Sequence, residues 1–107
     1  MIVELREYTL HHGSVPEYFR VVGEEGLAIQ RPILGNLVGY YHTEVGVQNQ
    51  VVHLWAYADH GDRERRRAQL AADPRWQAFL PKLRPLILTQ QTRIMRPAPF
   101  MNVEVTP

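Results

Sequence analysis

Residues 35 to 57 hold two runs of extended-chain character, GNLVGYYHTEV and NQVVHLWAY, separated by little more than the turn-forming residues of GVQN. Val, Tyr, Trp and Leu at this density favour strands, and a short Gly- and Asn-containing gap between two such runs signals a hairpin. A hairpin commits the chain to an antiparallel sheet on which everything else must pack. Its second half alternates, with Val51, His53, Trp55 and Tyr57 on one side and Val52, Leu54 and Ala56 on the other. Strand side chains point alternately to opposite faces, so one face is plainly apolar and the other carries an imidazole, an indole and a phenol.

The rest of the chain fits around this hairpin. Residues 2 to 10 alternate, with Val3 and Leu5 opposed to Glu4, Arg6 and Tyr8, and predict a strand. HHGS ends it. Ser14 and Glu17 have capping-box spacing, and Val15, Tyr18, Phe19 and Val22 follow at helical spacing. This helix is expected to end near Gln30 and Arg31, because Pro32 disfavours helix for the residue before it. Asp59 can cap a second helix running to about Ala72, and Asp73 with Pro74 restarts it. Trp76, Phe79 and Leu80 form the buried stripe of that last helix, which Pro81 and Pro85 are expected to stop. Residues 86 to 96 predict a final strand, and residues 97 to 107 an extended tail. The order β-α-β-β-α-β over one domain, residues 1 to 107, predicts an α+β, ferredoxin-like fold. In it a four-stranded antiparallel sheet has helices on one face. The other face needs a cover, and a second copy of the same sheet is the economical one.

Placing the hairpin loop at Gly46 to Asn49 sets His42 opposite His53, Tyr40 opposite Trp55 and Glu44 opposite Val51. Val52 and Leu54, with Tyr41, Thr43 and Val45, then suit packing under the helices. The His53 face, joined by Glu4, Arg6 and Tyr8, is expected to turn away from them, toward the second copy.

Composition limits the function classes. The 107 residues carry 12 basic and 11 acidic side chains, a net charge of +1, which gives no overall pull toward nucleic acid or an anionic membrane. There is no cysteine, so disulfides, thiol chemistry and Cys-based zinc sites are excluded. MIVELREYTL reads as a strand and not as a signal or transit peptide, and no apolar run approaches a membrane span. The expected location is cytoplasmic.

The segments ELREYTL, EEGLAIQRPILGNLVGYYHTEVG, NQVVHLWAY, DRERRRAQLAADPRWQAFLPKLRPLI and IMRPAPF together resemble a bacterial member of the NIPSNAP family across about the whole chain. The resemblance implies a ferredoxin-like fold of the dimeric α/β barrel type, in which two sheets face each other across a central space. It implies no established catalytic residues, and it leaves open whether the protein is an enzyme.

The candidate ligand-binding residues are Arg6, Tyr8, Tyr40, His42, His53, Trp55 and Tyr57. Aromatic walls with a few polar groups suit a small molecule, which Arg6 could orient through a carboxylate. The competing reading is that the same side chains fill a homodimer interface, where Tyr and Trp are enriched anyway. His53 is a weak candidate for a general base, titrating near pH 6 to 7 if its pKa is about ordinary, with Glu4 its nearest carboxylate. His42, His53 and Glu44 could in principle hold a metal, but their spacings are common, and no metal or cofactor is expected. DRERRR reads as a solvated helix face rather than a nucleic-acid contact. The leading expectation is a homodimer binding a small molecule between its sheets. A cofactor-independent oxygenase or isomerase and a purely structural module are the alternatives.

Overall fold

The computed structural model describes residues 1–105. Strand β1 (Ile2–Leu10) leads into helix α1 (Val15–Val21), a π turn (Val22–Gly26) and helix α2 (Leu27–Leu34). The hairpin is β2 (Asn36–His42) and β3 (Gln50–Tyr57). Helices α3 (His60–Ala72) and α4 (Pro74–Leu83) and a 3-10 turn (Arg84–Leu86) lead to β4 (Ile87–Met95). The strands form one antiparallel sheet in the order β2-β3-β1-β4, which is the ferredoxin-like arrangement. Strands β1 and β3 are therefore central, and side chains from them dominate both faces. No helix among the described residues is long and apolar enough to cross a membrane.

Two caps sit where the sequence predicts them. The Asp59 carboxylate accepts from the Asp62 N–H at 2.7 Å, and that of Asp73 accepts from the Arg75 N–H at 2.8 Å. Other local signals lose to packing. Pro32 lies inside α2 and does not end it, because the buried Ile33 and Leu34 hold the last turn against the core. Leu83 does the same for α4, which continues past Pro81. Ser14 stands at the start of α1 but makes no side-chain cap bond, and Glu17 is held by Arg20 at 2.6 Å instead. In the π turn, a Cβ on Gly26 would come within 2.9 Å of the Phe79 ring, so glycine is what lets α4 approach the first helical rod so closely. Gly35, at φ 90°, ends α2 in a conformation open to glycine.

The hairpin register differs from the expected one. Tyr40, not His42, pairs with His53, and His42 pairs with Val51. Glu44 lies outside the strand, because the loop spans residues 43 to 49 and not only the four of GVQN. The shift is by two residues, so Tyr40, His42, His53 and Trp55 keep a common face.

That face is the reverse of the expected one. Glu4, Tyr8, Val51, His53, Trp55 and Tyr57 all lie under the helices and are no more than 7% exposed. Leu5, Val52 and Leu54 are only half-buried on the open side, with Tyr41 59% exposed beside them. An interface built on His53 is thereby overturned, since the chain's own helices bury that residue. The physical reason is size and pairing. Trp and Tyr rings bury more surface than Val and Leu, and the helices bring partners for the charges among them.

Candidate functional site

The helices do not fill the space over this face. A cavity of about 440 Å³ remains between the sheet and the helices. Its sheet wall is formed by Arg6 and Tyr8 of β1, Tyr40 of β2, His53 of β3 and Gln90 of β4. The helical wall includes Tyr18, Val22 of the π turn, Gln30, Arg67, Ala71 and Trp76. The pairing of Arg6 with both His53 and Thr92 and of Tyr8 with Gln90 accounts for this grouping, since directly paired residues share a face. Three arginines, Arg6, Arg67 and Arg84, and no aspartate or glutamate line the cavity among the described residues.

Beside it, Glu4 is fully buried and held by three guanidinium groups. Arg63 Nε donates to one carboxylate oxygen at 2.5 Å and Arg67 Nη2 donates to the other at 2.6 Å. Arg6 Nη1 stands 3.6 Å away. Burial alone would raise the Glu4 pKa, but Arg67, Arg6 and Arg63 outweigh it and hold the carboxyl below its usual range. Helical spacing explains the clamp, since residues 63 and 67 are one turn apart on α3 and reach the same strand residue. One carboxylate against three guanidinium groups leaves the corner with surplus positive charge.

His53 is locked into one neutral form. Trp55 Nε1 can only donate, and it donates to His53 Nδ1 at 2.8 Å. The imidazole proton therefore sits on Nε2, which has no hydrogen-bond partner among the described residues. Burial, then the charges of Arg6 and Arg67, pushes the His53 pKa down to about 3. The expected titration near pH 6 to 7 does not apply. Tyr40 stacks on the imidazole at 4.5 Å between centroids, and Tyr8 meets it edge-on at 5.0 Å. Arg6 Nε donates to the Tyr8 hydroxyl at 2.8 Å. The hydroxyls of Tyr18 and Tyr40 bond to one another, and burial raises the pKa of both, so the two phenols stay protonated.

Of the seven residues singled out by sequence, Arg6, Tyr8, Tyr40 and His53 line the cavity. Trp55 and Tyr57 are fully buried and do not line it, with Trp55 orienting His53 from the side. His42 is exposed and packs against Phe19 at 5.3 Å, so it is not joined to His53 or Glu44 in a cluster. Arg67, Tyr18, Gln30 and Trp76 were not legible as site residues. The one available signal was the one-turn spacing of Arg63 and Arg67 in DRERRR, which clamp Glu4, while Glu64 and Arg65 keep the solvated face expected of the run.

The NIPSNAP family model matches residues 3–102. A NIPSNAP family protein of Agrobacterium tumefaciens is 50% identical in sequence, with a TM-score of 0.93 over 96% of this chain and 98% of that one. A NipSnap protein of Caenorhabditis elegans is 27% identical over 96% of this chain, which spans only 19% of that relative's length. At 20% identity, SnoaB, a cofactor-independent oxygenase from Streptomyces nogalater, shares the fold with a TM-score of 0.60 over 91% of this chain and 92% of its own. With a family model matched over nearly its whole length and the fold of a solved member, the chain belongs to the NIPSNAP family.

Proposed function

We propose that the protein binds a small, flat, partly apolar molecule in the cavity between its sheet and its helices. The observation that carries this reading is the 440 Å³ space itself, walled by Tyr8, Tyr18, Tyr40 and Trp76 and reached by Arg6, Arg67 and His53. Aromatic walls with a few convergent polar groups are the usual make-up of a small-molecule site. Its position favours a pocket within each chain over the expected one between two sheets. The homodimer remains part of the reading, with Leu5, Val52, Leu54 and Tyr41 as its sheet-to-sheet surface in place of the His53 face.

A cofactor-independent oxygenase or isomerase is the second reading, and the neutral, buried His53 is the feature that brings it to mind. General-base chemistry needs a free lone pair at the ligand. The His53 lone pair is taken by Trp55, which favours a donor over a base. The fold common to SnoaB carries architecture and not chemistry.

The test is a thermal-shift screen of small aromatic and short acyl compounds on the wild type and on Ala71→Trp, which plugs the cavity from its exposed helical edge. Stabilisation of the wild type that Ala71→Trp abolishes supports the reading. Stabilisation that survives in Ala71→Trp places the ligand elsewhere and sinks it.

A further inference from the structure

We infer that the ligand of this cavity is an aromatic or otherwise flat monocarboxylic acid, bound as its anion between the arginines and the fixed N–H of His53. This deepens the binding reading above and rests on it.

Charge comes first. The lining carries three arginines and no carboxylate, and the one buried acid nearby, Glu4, is already held by three guanidinium groups. A neutral occupant would leave that surplus unanswered in a site walled by low-dielectric aromatic rings, where charge is weakly screened. The second observation is independent of charge. His53 is 1% exposed, and its Nε2–H has no acceptor among the described residues. A buried donor without an acceptor is costly, and this one, on a cavity that three arginines also line, points to a group that brings acceptor oxygens.

A carboxylate fits better than a phosphate. It has two oxygens in one plane, which suits guanidinium forks, and it carries a single charge. No glycine lines the cavity among the described residues, and four aromatic side chains do. Tyr8, Tyr18, Tyr40 and Trp76 offer faces and edges for a planar body. Because Tyr8 and Tyr40 cover the imidazole, contact with Nε2 takes a small movement of these rings.

The groups around His53 also set the pH behaviour. Arg6 and Tyr8 face it from β1, Tyr40 from β2, Trp55 from β3 and Arg67 from α3. The guanidinium groups keep their charge between pH 6 and 8, and burial holds the pKa of the Tyr40 phenol above its ordinary value. Binding of a carboxylate should therefore be flat across that range.

The experiment is calorimetric titration of the wild type with benzoate and cinnamate against their neutral amides, benzamide and cinnamamide, with inorganic phosphate as a third arm. The acids should bind roughly tenfold or more tightly than the amides, the scale of a charge-assisted hydrogen bond. Arg6→Gln should remove about that advantage of acid over amide. The His53 Nε2–H proton resonance should move on adding acid. Amides that bind as well as acids, and are displaced from Ala71→Trp, would overturn the carboxylate while leaving the pocket reading intact. Tighter binding of phosphate would overturn the class of anion. No binding of any compound would overturn both readings. The comparison of acid with amide uses wild-type protein, so it holds even if a variant fails to fold.

Discussion

The two faces of the sheet divide apolarity and charge in an unexpected way. The covered face holds Glu4, Arg6, Tyr8, His53 and Trp55, and nearly all of it is removed from water. The open face holds Leu5, Val52, Leu54 and Tyr41, which keep a share of water contact. A simple sorting of apolar residues inward would reverse this. The difference teaches that burial follows the total surface gained and the partners available, and not the absence of polar atoms. Rings supply area, the α3 arginines satisfy Glu4, and Trp55 satisfies His53 Nδ1. Of the buried side-chain atoms left without a partner among the described residues, His53 Nε2 and Arg67 Nε belong to residues that line the cavity, and the Tyr57 hydroxyl does not.

Paired substitutions across the sheet are the way to break this comparison. Trp55→Ala empties a fully buried site and should cost about 3–5 kcal/mol, whereas Leu54→Ala, its half-buried neighbour on the open face, should cost about 1 kcal/mol. Urea midpoints measured for both would reverse in order if the faces were assigned wrongly. Glu4→Gln should cost about 3 kcal/mol, because it leaves buried guanidinium groups without their counter-ion. Glu7→Gln, on the open face, should stay within about 0.5 kcal/mol. Equal effects of the two would remove the clamp from the account.

The third comparison uses pH. In the fold His53 stays neutral down to about pH 3, whereas in the unfolded chain it takes up a proton near 6.5. Between these values the unfolded state binds more protons, so stability falls as the pH falls, by about 1.4 kcal/mol per unit from this group. Above pH 6.5 the contribution is flat. His53→Gln should remove that slope, most cleanly between pH 4.5 and 6.5, where Glu4 remains ionised. An unchanged slope in denaturation series at several pH values would contradict the burial of His53. A more local effect concerns the helix that carries the clamp. Asp59→Ala should cost about 1 kcal/mol by uncapping α3, read as a lower thermal midpoint.

Much of this fold is legible in the sequence, and particular residues show why the rest is not. The bounds of β1 and the caps Asp59 and Asp73 follow from local chemistry, which acts within a few residues. The grouping of Tyr40, His42, His53 and Trp55 on one face survives a two-residue shift in register, because the strand period is two. Which face meets the helices is another matter. Alternation groups side chains without giving the group a direction, and Val3 and Leu5 misled because they weighed less than Trp55 and the tyrosines. The hydrogen-bonding partners of Glu4, Arg63 and Arg67, lie about sixty residues away on α3, beyond any local pattern. Pro32 and Pro81 carry a local stop signal, but the packing of Leu34 and Leu83 that overrides it is tertiary. Of the site, the strand residues Arg6, Tyr8, Tyr40 and His53 were readable, and the helical wall was not.

The central claim is that the His53 face lies under the helices, with its imidazole fixed as a neutral donor to the cavity. The most direct measurement is an NMR titration of the imidazole nitrogens in 15N-labelled protein from pH 8 to pH 4. The account predicts that His53 keeps a protonated Nε2 and an acceptor Nδ1 throughout, with no inflection near 6.5. A His53 that titrates near pH 6.5 with both nitrogens shifting together would show it open to water, and would contradict the account.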